Sequence, residues 1–115
     1  MQSTKLHGTE LKDFIVEQLE EIKAKEITVI DISENSTIAD YMVICSGTST
    51  RHVKSIAIQL VKELKERDMQ PLGVEGDDVG EWVLVDSGDV IAHVMQPITR
   101  DYYQLEKLWQ PAEAE

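Results

Sequence analysis

The sequence predicts an α/β (α+β) domain, a mixed β-sheet of about five strands flanked by helices. Three observations predict it. Apolar residues recur at helical spacing in three stretches, 10–25, 51–67 and 98–109. Short β-rich runs fill the intervals between them. The pair Ser87-Gly88 separates two of those runs and signals a β-hairpin. The resulting order is α-β-β-α-β-β-β-α.

The first helix is expected over 10–25, with Thr9 as its N-cap. Its apolar stripe is Leu11, Phe14, Ile15, Leu19 and Ile22, leaving Glu17, Gln18, Glu20, Glu21 and Lys23 to water. Residues 27–32 and 41–46 are almost continuously apolar, which suits central strands covered on both faces. The second helix, 51–67, has the clearest stripe: Val53, Ile56, Ala57, Leu60, Val61 and Leu64. Ser49 or Thr50 caps it, and Lys62, Lys65 and Arg67 suit the negative end of its dipole. A short strand follows Pro71 over 72–75, and the hairpin strands are 82–86 and 89–95. The last helix, 98–109, has Pro97 at its first turn and Ile98, Tyr102, Leu105 and Trp109 as its stripe.

A chain of 115 residues suits one domain, expected over 9–110, with flexible stretches at 1–8 and 111–115. Apolar residues at 42% and charged residues at 29% are globular proportions. The 22 acidic and 11 basic residues give a net charge of −11. That sign repels phosphate, so a general nucleic-acid or anionic-membrane binder is disfavoured. No apolar run is long enough to cross a bilayer or to act as a leader, and a cytoplasmic location is expected. Cys45 is the only cysteine, which excludes an internal disulfide and a cysteine-based metal site.

The hairpin permits a sharper expectation. With Ser87 and Gly88 as the loop, Asp86 opposes Asp89, Leu84 opposes Ile91 and Trp82 opposes His93. Strand alternation puts Val83, Val85, Val90, Ala92 and Val94 on one face, a small aliphatic surface suited to packing under helices. The other face carries Trp82, Leu84, Asp86, Asp89, Ile91, His93 and Met95. An apolar centre with a polar edge is the anatomy of a partner-binding face, and Trp is the residue type most enriched at binding hot spots. The alternative is that a helix of the same chain covers this face and His93 is a satisfied, semi-buried histidine.

Other constellations were weighed for chemistry. The turn Ser46-Gly47-Thr48-Ser49-Thr50 joins a strand to a helix and can hold an anion, but it lacks the spacing of a phosphate-binding loop; its plainer reading is a capping turn. Asp86 and Asp89 with Glu75, Asp77 and Asp78 could assemble a divalent-metal site of a minimal nucleotidyltransferase; their plainer reading is turn chemistry. No basic clamp for a triphosphate accompanies them. His7, His52 and His93 lack metal-ligand spacing, and Cys45 in an apolar strand reads as a small hydrophobe. No catalytic residue, metal or cofactor is therefore expected. Arg51 and His52, which open the second helix, either bind a partner's carboxylate or phosphate or are simply solvated.

The run from Asp40 to Val53, DYMVICSGTSTRHV, resembles the signature of the bacterial ribosomal silencing factor family, also called the RsfS or Iojap family. Residues 71–76 (PLGVEG), 82–95 (WVLVDSGDVIAHVM) and 103–109 (YQLEKLW) are similar to it as well, in the family's order. The resemblance covers Leu11 to Trp109. It implies a nucleotidyltransferase-like core without a working catalytic set. It also implies binding to the large ribosomal subunit through ribosomal protein fourteen of that subunit, which obstructs joining of the small subunit and represses translation in stationary phase or starvation. Family members often form homodimers, so a homodimer in the free state is an expectation; sequence-specific nucleic-acid binding and membrane binding are not. A basic ribosomal protein suits the charge of −11. On this reading Trp82, Leu84, Ile91 and Met95 fill the apolar part of the contact. Glu75, Asp86 and Asp89 pair with basic side chains, and His93 adds a hydrogen bond.

Overall fold

The structure, a computed structural model, describes residues 5–34 and 36–109, with the side chain of Trp109 outside the description. Its strands are β1 (Lys25–Asp31), β2 (Tyr41–Ser46), β3 (Gly73–Glu75), β4 (Trp82–Asp86) and β5 (Val90–Met95). Its helices are α1 (Gly8–Glu21), α2 (Thr50–Glu66), α3 (Pro97–Tyr103) and α4 (Leu105–Trp109). The strands form one mixed sheet in the order β1-β2-β5-β4-β3. β2 and β5 run parallel, and the other neighbouring pairs run antiparallel. The expected fold class is thus the observed one.

Helices α1 and α2 lie on one face of the sheet. Leu11, Phe14, Ile15 and Leu19 of α1 and Val53, Ile56, Leu60 and Leu64 of α2 are buried there against Val43, Cys45, Val83, Val85, Ala92 and Val94. The aliphatic face of the hairpin therefore packs under helices. The other face holds a second, smaller core of Ile30, Ile32, Ala39, Met42, Ile44, Met95 and Leu105.

Local expectations fail where tertiary contacts decide. Thr9 is not the cap of α1; the helix begins at Gly8, whose N–H donates to Asp89 Oδ2 at 2.8 Å from the hairpin turn. The helix also stops at Glu21, before the expected end. Lys23 and Glu26 adopt φ of 71° and 48°, and Lys25 already belongs to β1. β1 is not doubly covered. It is an edge strand in which only Ile30 is buried, whereas β2 is central and nearly all buried. Ser49 does cap α2, accepting the His52 N–H at 3.0 Å.

The last helix is two helices. Gln104 takes a left-handed conformation with φ 50°, ending α3 and letting α4 turn Leu105 into the second core. The expected stripe is broken accordingly, since Ile98 and Tyr102 are 78% and 81% exposed. Of the expected flexible ends, residues 1–4 and 111–115 lie outside the described residues. Leu6, within the expected flexible stretch 1–8, packs against the main core.

The hairpin register differs by two residues from the expectation. Trp82 pairs with Met95, Leu84 with His93 and Asp86 with Ile91. Ser87 N–H donates to the Val90 carbonyl at 2.9 Å, so Gly88 and Asp89 form the tip. Gly88 there has φ +85°, a conformation glycine takes readily and serine does not. A shift of two conserves strand alternation, so the assignment of residues to the two faces survives it.

Candidate functional site

The strand registers align side chains of the second face into three rows. One row runs Ile30, Met42, Ile91, Asp86, Gly73. The next runs Thr28, Ile44, His93, Leu84, Glu75. The third runs Ser46, Met95, Trp82. Along the rows, the β2 and β5 residues other than Ile91 are buried, whereas those of β4 and β3 are half-buried or exposed.

The cover is α3 and α4, and Arg100 holds it down. This buried guanidinium donates to Ser46 Oγ, Thr28 Oγ1 and Glu106 Oε2, each at 2.9 Å. One charge thus joins β1, β2 and α4 with every hydrogen bond charge-assisted. Leu105 is buried in the second core with Met42, Ile44 and Met95, and Ile32 and Ala39 of the β1–β2 connection complete that core. At the boundary of the cover, the Tyr103 ring lies 5.0 Å from the Trp82 ring, tilted by 50°.

Beyond that boundary the face is open. Leu84 is half-buried and belongs to neither core. Ile91 and Trp82 are half-buried at the rim of the second core. Asp86 is half-buried beside Ile91, and Glu75 is exposed beside Leu84. Apolar side chains flanked by two carboxylates form a patch suited to a basic partner with an apolar anchor.

His93 lies under this patch at 5% exposure. Its Nδ1 accepts the Trp82 indole N–H at 2.9 Å, which places the ring proton on Nε2. Nε2 is buried and has no hydrogen-bond partner among the described residues. Burial pushes the His93 pKa down to about 4, so the ring is neutral near pH 7.

Five residues expected at the site, Trp82, Leu84, Ile91, Asp86 and Glu75, are therefore brought together. Met95 is fully buried in the second core, so the expectation that it fills a partner contact is corrected: it is floor. His93 likewise stands below the surface, hydrogen-bonded to Trp82. Asp89 sits at the hairpin tip, where its carboxylate caps α1 and its carbonyl accepts N–H bonds from Asp40 and Tyr41. Arg51 and His52 open α2, on the opposite side of the sheet. His52 Nδ1 accepts the Thr48 N–H at 2.9 Å, closing the Gly47 turn internally. Gly47 itself is tight against α2, since a Cβ would meet Val53 at 2.9 Å.

Sequence reasoning missed Arg100 and Tyr103. Both act through residues distant in the chain, and the i, i+6 spacing of Arg100 and Glu106 is not one that helical periodicity pairs. Of the acids that could assemble a metal site, Asp86 does turn work: its Oδ1 accepts the Gly88 N–H at 2.9 Å. Among the described residues no three His, Cys, Asp or Glu side chains gather as metal ligands. Burial pushes the Cys45 thiol up to about 12 against the opposing pull of Arg100, which leaves it a hydrophobe. No helix among the described residues is long and apolar enough to cross a membrane.

The model of the RsfS family, described as ribosomal silencing factor during starvation, matches residues 5–115. The chain belongs to the RsfS family. A relative from Chromobacterium violaceum, named ribosomal silencing factor RsfS, is 44% identical over 100 residues, 87% of this chain and 82% of that one. The mouse protein named mitochondrial assembly of ribosomal large subunit protein 1 is 40% identical over 100 residues, 84% of this chain and 44% of its own. A crystal structure of a Chromobacterium violaceum protein superposes with a TM-score of 0.87 at 41% identity, covering 96% of this chain and 94% of the other. These relatives are named as silencing and assembly proteins, which accords with a regulatory rather than an enzymatic role for an RsfS chain.

Proposed function

We propose that this chain silences ribosomes sterically. It docks on ribosomal protein fourteen of the large subunit through the open end of its sheet, and its body prevents the small subunit from joining. The observation that carries this reading is the half-covered face: Leu84 and Ile91 stay partly exposed beside Glu75 and Asp86, while Leu105 of α4 and Ile32 and Ala39 of the β1–β2 connection are buried over the second core. Family membership supports a ribosomal partner, and the name of the mouse relative supports the large subunit.

The physics of the contact follows from the patch. Burying an aliphatic side chain fully contributes roughly 1.5–3 kcal/mol, so Leu84 and Ile91 supply affinity. Glu75 and Asp86 select a basic protein surface, and the net charge of −11 repels bare RNA around it. No bond is made or broken. Occupancy follows mass action, so silencing rises with the concentration of the factor in stationary phase or starvation. The site of action is the cytoplasmic ribosome. A homodimer of the free protein that uses the same face competes with the ribosome for it.

Calorimetric titration with purified ribosomal protein fourteen tests the dock. Wild-type protein binds saturably, and Leu84→Ser and Glu75→Lys each weaken binding by about tenfold or more. Equal affinity for both folded variants removes the face from the contact.

A further inference from the structure

We propose that a corner on the outer side of α3 seats an arginine side chain of a protein partner. The seat rests on the reading above in one respect: the partner on the open face supplies the arginine. The corner holds about 270 Å³ and is lined by Glu81, Gln96, Ile98, Thr99, Tyr102 and Tyr103.

Two rings make the first half of the seat. Tyr102 and Tyr103 close α3 with their ring centroids 4.9 Å apart and their planes at 84°. Tyr102 is left almost wholly in water, and Tyr103 is half-exposed. An open aromatic face attracts a cation through its quadrupole, and a planar guanidinium stacks on it where an ammonium cannot. Ile98, equally exposed one turn earlier, offers aliphatic surface for the methylene stem of the same arginine.

Charge makes the second half. Glu81 is the only carboxylate in the lining, and no Lys or Arg lines the corner. Glu81 forms no ion pair among the described residues, and Lys54, whose stem lies against Gly80, leaves it unpaired. The Glu81 carbonyl accepts the Gln96 N–H at 3.0 Å, which ties the residue before β4 to the start of α3 and keeps its carboxylate at the corner. A guanidinium there finds one carboxylate for charge-assisted hydrogen bonds and the neutral oxygens of Gln96 and Thr99 for its remaining donors. With a single charged group in the lining, the sign of the occupant is set.

Position connects the seat to the dock. The Tyr103 ring lies 5.0 Å from the Trp82 ring, and Trp82 shares the rim of the second core with Ile91. The corner therefore continues the open face past Trp82, and a basic protein resting on Leu84 and Ile91 reaches it with one long side chain. A nucleic-acid base would stack on the same rings, but Glu81 and the net charge of −11 oppose its phosphates.

The probe is a capped Gly-Arg-Gly peptide, titrated into the full chain while the ring resonances of Tyr102 and Tyr103 are followed. The proposal expects saturable shifts at both rings in the millimolar range. Tyr102→Ala and Glu81→Gln each weaken them about fivefold, whereas Tyr102→Phe, which keeps the ring, does not. Peptides with citrulline or leucine in place of arginine leave the rings unmoved. Both substituted positions lie on the surface, and the remaining resonances report that the fold persists. Absence of saturable shifts, a citrulline or leucine peptide that binds as well, or indifference to Glu81→Gln overturns the seat. So does a single-stranded RNA oligomer that moves these rings where the arginine peptide does not. Calorimetry with ribosomal protein fourteen then separates the seat from the dock. Glu81→Gln is expected to weaken that binding about fivefold, and equal affinity overturns the seat as part of the contact while the dock stands. If the wild type does not bind that protein at all, the dock fails, and with it the source of the arginine, whatever the peptide does.

Discussion

The indole N–H of Trp82 donates to Nδ1 of His93 at 2.9 Å, between diagonal neighbours on adjacent strands. This bond fixes the Trp82 side chain at the boundary between the covered and the open sheet. It also fixes the histidine tautomer and leaves a buried Nε2–H without a partner among the described residues. A charged imidazolium cannot keep the bond, because both ring nitrogens would then donate.

That arrangement makes stability depend on acid. His93 is held near pKa 4 by burial, and an unfolded histidine titrates near 6.5. Between those values the unfolded chain binds more protons, so stability falls as pH drops through the window and the loss levels off below pH 4. By pH 5 the term is about 2 kcal/mol. Urea midpoints of wild type and His93→Gln at pH 7.5 and pH 5 measure it: the wild type loses about that much more than the variant. Parallel losses in both proteins refute the assignment.

Removing Arg100 should release the cover. Arg100→Met leaves the Glu106 carboxylate and the Ser46 hydroxyl without their donor, at a cost of about 2–4 kcal/mol. Arg100→Lys does not restore it, since one ammonium lacks the planar fork that reaches three acceptors. Denaturant midpoints, with amide exchange of α4, read both effects, and faster exchange at Leu105 accompanies the loss.

Two glycines of one short segment should respond oppositely to alanine. Gly76 has φ +82°, and a Cβ there collides with the Trp82 carbonyl oxygen. Gly76→Ala costs about 2 kcal/mol or more and weakens partner binding, because it pushes on the first residue of β4. A Cβ at Gly73 meets open space, and Gly73→Ala stays within about 0.5 kcal/mol of wild type. Thermal unfolding of the pair separates backbone strain from a general intolerance of this edge.

Local periodicity explains what the sequence made legible. α2 and the two faces of the hairpin were readable because each repeats its pattern over a whole element. The register was not, because the hairpin tip depends on which loop position the positive φ of Gly88 occupies, and the tip is Gly88-Asp89, one place later than the expected Ser87-Gly88. The break at Gln104 was hidden as well. It follows from Arg100 binding Ser46 and Thr28, residues 54 and 72 positions away. An almost unbroken apolar run made β1 look central, although it is an edge. At the site, alternation identified Trp82, Leu84, Asp86 and Ile91 as one face. It did not reveal that Met95 is buried in the second core, that Asp89 is engaged with α1, or that α2 carries Arg51 and His52 away on the other side.

The central claim is that occupancy of the open face keeps the subunits apart. Light scattering of purified large and small subunits, mixed with the factor in stoichiometric excess, tests it most directly. The account predicts that wild-type protein suppresses the rise in scattering as subunits join, and that folded Leu84→Ser and Glu75→Lys proteins allow it. Full joining in the presence of saturating wild-type protein, or suppression that both variants retain, would contradict it.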